Sequence, residues 1–212
     1  MTVDPKKRQK QLAKKAAKRK EVRAVQKASQ DVGGRWAQMK QLTVAGAAPI
    51  YECLAPEGLF TLGVGSVVLA RSMPSQALAV STFLVDVHCL GVKDVAFAVL
   101  PLSEYEHRLG WIRQNENMQS IDPSCARKLV EAAAAYAADL GFPPHKDYRT
   151  ARLIFGDIDP EACPTEYEFG KDGKPFYMSG PHDSELKSRK IVDTLMAKCG
   201  PDGFHYLIGL QE

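Results

Sequence analysis

The first 27 residues of this chain have almost nothing to bury in a hydrophobic core, which limits where a folded part can begin. They carry eleven Lys or Arg residues against two acidic ones, a net charge of +9. The whole chain has 28 basic and 25 acidic residues, so residues 28–212 hold 17 basic and 23 acidic ones, a net charge of −6. The pattern predicts a basic N-terminal arm (residues 1–30), a linker (residues 31–47) and one mildly acidic domain (residues 48–212).

An arm of this charge is typical of proteins that hold polyanions, because Lys and Arg neutralise phosphates without reading base sequence. Like charges four residues apart repel in a helix, so we expect the arm to order only when a polyanion neutralises it. A solubilising tail and a nuclear-import signal are the alternatives. The predicted contacts to RNA or the ribosome are made by Lys6, Lys7, Arg8, Lys10, Lys14, Lys15, Lys18, Arg19, Lys20, Arg23 and Lys27.

The sequence lacks the features of membrane, secreted and metal-binding proteins, and this limits the partners and location that it predicts. No apolar run is long enough to predict a membrane span, and the charged start has no secretory apolar segment. The number of cysteines is odd, and no pair has the spacing of a metal site. The sequence therefore predicts a cytoplasmic protein with reduced thiols, no cofactor and no metal. The cysteines are Cys53, Cys89, Cys125, Cys163 and Cys199.

Strand signals come first in the acidic part. Runs rich in Val and Leu, bounded by Gly and Pro, predict strands rather than helices. Because the connections between them are short, the strands are expected to form an antiparallel meander. They are Ile50–Leu54, Phe60–Ala70, Ala77–Leu90 and Val92–Leu100.

Helix signals follow the strands. Ser103 and Glu106 form a capping box, Asp122-Pro123 opens a second helix that ends at Gly141, and Asp183–Cys199 carries one apolar face. The expected fold class is α+β: an antiparallel meander packed against about three helices. Weaker signals predict a helix or strand at residues 146–155, a hairpin around residues 170–173 joining strands at 165–169 and 174–178, and a half-buried last strand alternating Phe204, Tyr206, Ile208 and Leu210.

One polar cluster is the candidate for an active or binding site. If a strand covers residues 79–90, Asp86 and His88 lie side by side on one face, and a carboxylate beside a histidine raises its basicity. Gly91 is expected to supply a bulge that turns Lys93 and Asp94 towards the same cleft. A structural network, in which Asp86 accepts backbone hydrogen bonds, is the favoured alternative. The sequence therefore marks Asp86 and His88 as candidate catalytic residues.

Two further stretches carry weaker signals. Residues 157–168 place acidic side chains at calcium-loop spacing, but Ala162 stands where that loop needs Gly. Residues 179–184 precede a helix and include His182, which joins Lys93 and Asp94 as a possible ligand-binding residue. Asp183 and Ser184 already provide helix-capping groups there, so a structural cap is favoured.

Three hypotheses for function follow, and no motif decides between them. The leading one is a nucleic-acid-associated protein, for RNA or the ribosome, that binds through its arm. The second is an enzyme of unknown reaction centred on Asp86 and His88. The third is a protein-interaction module whose acidic domain binds a protein partner. Phosphate-binding loops, dinucleotide fingerprints and nucleophile elbows are all missing from the sequence.

Overall fold

The computed structural model describes residues 36–74, 76–180 and 183–208, and the structural statements below concern these residues. The basic arm and His182 lie outside them. Residues 36–45, placed in the predicted linker, are helical, and Leu42 and Ala45 in this segment (α1) are buried in the core. From Leu42 onwards, the described residues form one compact unit.

A five-stranded antiparallel sheet organises this unit, in the order β4-β3-β2-β1-β5. The first four strands form the meander that the sequence predicted, and the α+β class is confirmed. Consecutive strands pair along most of their length because their connections are short. The strands are β1 (Ile50–Pro56), β2 (Val64–Ser72), β3 (Ala77–Asp86), β4 (Gly91–Pro101) and β5 (Met118–Ser120).

Helices cover both faces of the sheet. The three long helices are those predicted, but the expected Ser103–Glu106 capping box does not form, since the first of these helices begins at Leu102 after Pro101 without a side-chain cap. The second begins at Pro123, where the Asp122 side chain accepts a hydrogen bond from the Ser124 N–H at 2.8 Å. Two single turns of 3-10 helix lie at Arg152–Phe155 and Pro160–Ala162. None of the described helices is long and apolar enough to cross a membrane. After α1, the helices are α2 (Leu59–Leu62), α3 (Leu102–Arg113), α4 (Pro123–Asp139), α5 (Tyr148–Ala151) and α6 (Glu185–Cys199).

Alternation along the strands divides the core into two layers. On one face, Val67 and Phe83 pack with Leu129 and Ala133 of α4. On the other face, strand residues pack under α3; the buried members of this layer are Leu54, Val68, Ala70, Leu78, Val80, Leu100, Tyr105 and Leu109. Each fully buried aliphatic side chain contributes about 1.5–3 kcal/mol, so both helices are held by burial rather than by helix propensity.

Two of the predicted strands differ in the structure. Residues 59–62 form the helical turn α2, because Gly58 and Gly63 on either side adopt φ angles of 74° and 87°. The strand expected over Ala77–Leu90 ends at Asp86, and residues 87–90 form the turn to β4. Of residues 146–155, for which the sequence predicts a helix or a strand, residues 146 and 147 form a turn, and residues 148–155 are helical.

The predicted C-terminal hairpin is also wrong. Strand β6 (Phe176–Met178) pairs in parallel with β7 (His205–Leu207), and a single bridge between Lys171 and Lys174 is all that remains of the hairpin. Residues 165–169 are not a strand, since the neighbouring Gly170 N–H donates instead to the Val87 carbonyl at 2.9 Å.

The predicted burial of the last strand is not observed either. Phe204 is buried, but Tyr206 and Ile208 are 53% and 41% exposed. Leu210 lies outside the described residues. The apolar residues that alternate in this stretch of the sequence therefore do not form the buried face of a strand.

The expectation of five reduced cysteines is wrong as well. Cys125 in the first turn of α4 and Cys163 after the second 3-10 turn form a disulfide, across a sequence separation of 38 residues. Cys53, Cys89 and Cys199 are free. Spacing in the sequence did not reveal the pair, because the fold brings these two distant positions together.

We predict that this disulfide stabilises the folded chain. Closing a loop of this length lowers the entropy of the unfolded state, which raises the free energy of unfolding by about 2–4 kcal/mol. Urea unfolding should therefore show a loss of that size on adding dithiothreitol to the wild-type protein. The variant Cys125→Ala/Cys163→Ala should be insensitive to the reductant. Equal wild-type stability with and without reductant would contradict the prediction.

Candidate functional site

The connection between β3 and β4 is a buried turn, which is unusual because connections normally lie at the surface. Val87, His88 and Cys89 are 0%, 5% and 0% exposed. Asp86, the last residue of β3, accepts hydrogen bonds at Oδ1 from the N–H groups of His88 (3.0 Å) and Cys89 (2.9 Å). Burial raises the pKa of the Asp86 carboxyl, while Lys93 and the turn N–H groups oppose that rise.

The His88 side chain fastens α2 to this turn. Its Nε2 lies 2.9 Å from the Phe60 carbonyl oxygen. A carbonyl can only accept, so Nε2 carries the proton and donates. The ring lies against Gly63 and sits 6.0 Å from the Phe176 ring centre. His88 is therefore engaged in a packed, hydrogen-bonded position.

Asp86 and His88 are thus close in the structure, but not as a strand pair. The strand ends at Asp86, and its carboxylate meets the backbone of His88 rather than the imidazole. These are the hydrogen bonds of the structural network that the sequence analysis offered as the alternative. The enzyme hypothesis gains no support from this geometry.

Lys93 and Asp94 point to different neighbours. The bulge lies at Lys93 rather than at Gly91: Val85 pairs with Val92 and Leu84 with Asp94, so Lys93 is the extra residue. Asp94 is exposed, and its Oδ1 accepts from the Val95 N–H at 2.8 Å and lies 3.6 Å from His145 Nε2.

Lys93 instead lies in electrostatic reach of two buried carboxylates, those of Asp86 and Asp183. Its positive charge lowers the pKa of both. It is also near Gly180, in the segment that leads into α6. The lysine therefore compensates negative charge where that segment approaches β4.

The sequence analysis missed the buried hydroxyl groups that complete this network. The Tyr177 side chain is fully buried, and its hydroxyl lies 3.2 Å from Asp183 Oδ2 and 2.9 Å from Ser188 Oγ. Lys187 Nζ is 2.6 Å from Asp183 Oδ1. The four-residue spacing of Asp183 and Lys187 was a visible signal, whereas nothing local indicated Tyr177.

Ionised Asp183 is favoured by these partners. Burial raises the pKa of its carboxyl, but hydrogen bonds from Lys187 and the Gly180 N–H outweigh burial, so the pKa lies below its usual range. Ser184 caps α6 by accepting from the Lys187 N–H at 3.3 Å. The helix N-terminus predicted as a possible phosphate site is thus already capped by the chain itself, and His182 lies outside the described residues.

Two cavities lie away from this network. One, of about 40 Å³, is between α3 and the sheet and is lined by residues that include Val80, Ala98 and Leu109. The other, an open depression of about 430 Å³, borders the end of β4 at Val99 and Pro101. In the described part of the chain, no three His, Cys, Asp or Glu side chains come together as metal ligands.

No family model, curated protein or solved structure matches this chain. Its function therefore has to be argued from its own residues and contacts.

A matched pair of glycine substitutions tests whether His88 is fixed. Gly58→Ala and Gly63→Ala both place a side chain at positive φ, which costs about 1–2 kcal/mol. Nothing lies near a Cβ at Gly58, whereas a Cβ at Gly63 overlaps the His88 ring. In urea unfolding, Gly63→Ala should therefore lower the free energy of unfolding by about 1–3 kcal/mol more than Gly58→Ala does. Equal losses would show that His88 moves freely.

The lowered pKa of Asp183 predicts a pH dependence of stability. A folded-state pKa below the unfolded value of about 3.9 stabilises the protein above that pH, and the contribution disappears as pH falls through the folded pKa. Asp183→Asn should lower the free energy of unfolding by about 1.5–3 kcal/mol at pH 7, and by progressively less below about pH 4. Asp193→Asn, on an exposed residue of the same helix, is the control. A loss independent of pH would contradict the assignment.

Proposed function

We propose that this protein is nucleic-acid-associated and that its N-terminal arm supplies the phosphate contacts. One observation carries the proposal: residues 1–27 have a net charge of +9, while the remaining chain has a net charge of −6. A polyanion is attracted to the first segment and repelled by the second, so binding is directed to the arm.

The ion pairs of the folded unit support this division. Several of its cations already have carboxylate partners, and the buried Arg71 donates to the carbonyls of Ile154 and Phe155 at 2.7 and 2.8 Å. Breaking these contacts to bind phosphate would offset much of the gain. The pairs are Arg108–Glu104, Arg127–Glu131, Lys128–Glu166 and Lys187–Asp183.

RNA, free or in the ribosome, is the preferred partner, since the sequence contains no element that reads DNA bases. Contacts of this kind position a protein on a phosphate backbone without base specificity. The folded unit then serves to recognise a neighbouring protein or to set the position of the bound chain.

The test is binding to single-stranded RNA, structured RNA and duplex DNA across a salt series. The full-length protein should bind with a log–log salt slope of about −0.7 to −0.9 per phosphate neutralised. A full-length variant with all eleven arm Lys and Arg changed to Gln, and a truncated chain starting at Ser29, should both lose binding. RNA bound more tightly than duplex DNA at matched salt supports the preferred partner.

A charge-conserving control separates electrostatics from side-chain shape. Changing the arm lysines to arginine keeps every charge, so binding and its salt slope should be retained, and any change in affinity at matched salt then reports the shape of the side chain. Circular dichroism of each variant checks that the folded unit is intact. Binding that survives in the Gln variant and in the truncated chain would refute the proposal.

A further inference from the structure

The outer edge of β4 has few backbone partners among the residues that the structure describes. The strand pairs with β3 on one side and is the last strand of the sheet. On the other side, one backbone hydrogen bond from the described residues reaches it, from the His145 N–H to the Val92 carbonyl at 2.9 Å. Unpaired strand edges bind other strands readily, so proteins usually protect them with Lys, Pro, bulges or a covering element.

The exposed part of this edge lacks lysine, proline and a bulge. Residues 95–100 contain no charge and no proline, and the bulge at Lys93 lies before them. Ala96 and Val99 are exposed, and Phe97 is half-buried at the rim of the core. Such an edge favours a strand as its occupant, because a strand pairs the free N–H and carbonyl groups.

The hydrogen bond of Val95 identifies the outward-facing groups. Its N–H donates to the side chain of Asp94 rather than to β3. Backbone groups of alternate residues in an antiparallel strand face the same side, so those of Val95, Phe97 and Val99 face outward. These three side chains also share the sheet face that packs towards α4.

The sequence of this edge is a palindrome, Val95-Ala96-Phe97-Ala98-Val99. In an antiparallel pair centred on Phe97, Phe97 opposes Phe97 of a second copy, each Val95 opposes a Val99, and each Ala96 opposes an Ala98. Every residue then meets one of its own kind. The Phe97 pair exchanges two backbone hydrogen bonds, and each Val95–Val99 pair does so once the Val95 N–H exchanges the Asp94 side chain, now at 2.8 Å, for the partner strand. The edge is therefore complementary to itself about a twofold axis.

We propose that two copies of this chain pair through β4 in this register and form one continuous ten-stranded sheet. The second copy covers the exposed Ala96 and Val99 and pairs the outward backbone groups. This inference does not rest on the proposed binding of nucleic acid.

Sedimentation of the full-length protein tests the dimer. Nuclease-treated protein at high salt is used, so that bound nucleic acid cannot bridge two arms. We expect twice the chain mass of 23.3 kDa. Val99→Pro removes an outward N–H without breaking the ladder to β3, and it should give a monomer. Val99→Ala keeps that N–H and should remain a dimer.

Disulfide trapping tests the register. In the double variant Val95→Cys/Val99→Cys, each new cysteine faces its counterpart across the axis, within the reach of a disulfide. Each single variant places its two cysteines four residues apart along the strands, about 13 Å, which is too far. Mild oxidation should link the double variant into a dimer on a non-reducing gel, and leave the single variants and the wild type unlinked.

Two outcomes would overturn the proposal. If the wild-type protein stays monomeric at high micromolar concentration and no dimer is trapped, the β4 edge does not pair with a second copy and its partner is a different molecule. A dimer that persists in Val99→Pro, or is trapped equally by the single variants, pairs through a different surface or register.

Discussion

The buried turn between β3 and β4 is the constraint on which much of the remaining structure depends. A buried turn has to find partners for its polar backbone groups, and each unmatched group costs about 1–3 kcal/mol. Asp86 satisfies part of this need from within the turn. The rest comes from outside: Val87 donates to the Gly63 carbonyl at 2.8 Å, and the His88 carbonyl accepts from Phe176 at 3.0 Å. The turn thereby positions α2 and β6.

This dependence explains which parts of the fold were predictable from the sequence. The meander and the three long helices follow from local signals, such as the apolar runs of β2 to β4 and the capping by Asp122. The parallel pairing of β6 with β7 does not, because Gly170 and Phe176 are held by hydrogen bonds to Val87 and His88, in a turn more than eighty residues earlier in the chain. The Cys125–Cys163 disulfide was missed for the same reason.

The candidate site illustrates a limit of pattern-based inference. A carboxylate next to a histidine predicts acid–base chemistry only if both side chains face the same space. In this chain β3 ends at Asp86, two residues before His88, so the two side chains do not share a strand face. Asp86 instead accepts hydrogen bonds from the turn, and His88 donates to the Phe60 carbonyl. Tyr177 and Ser188 complete the buried network around Asp183, yet nothing in their own sequence context distinguishes them from ordinary core residues. The sequence indicated which stretches are buried, but not which groups the buried polar side chains would bind.

The two proposals are connected through the charge of the arm. A dimer formed through β4 joins two arms, each carrying the +9 of residues 1–27, in one particle. Their mutual repulsion weakens dimerisation at low salt, and a polyanion that neutralises both arms removes it. One nucleic acid bound by both arms also gains from effective concentration. Binding free energies are reciprocal, so a polyanion that strengthens the dimer must itself be bound more tightly by the dimer than by the monomer.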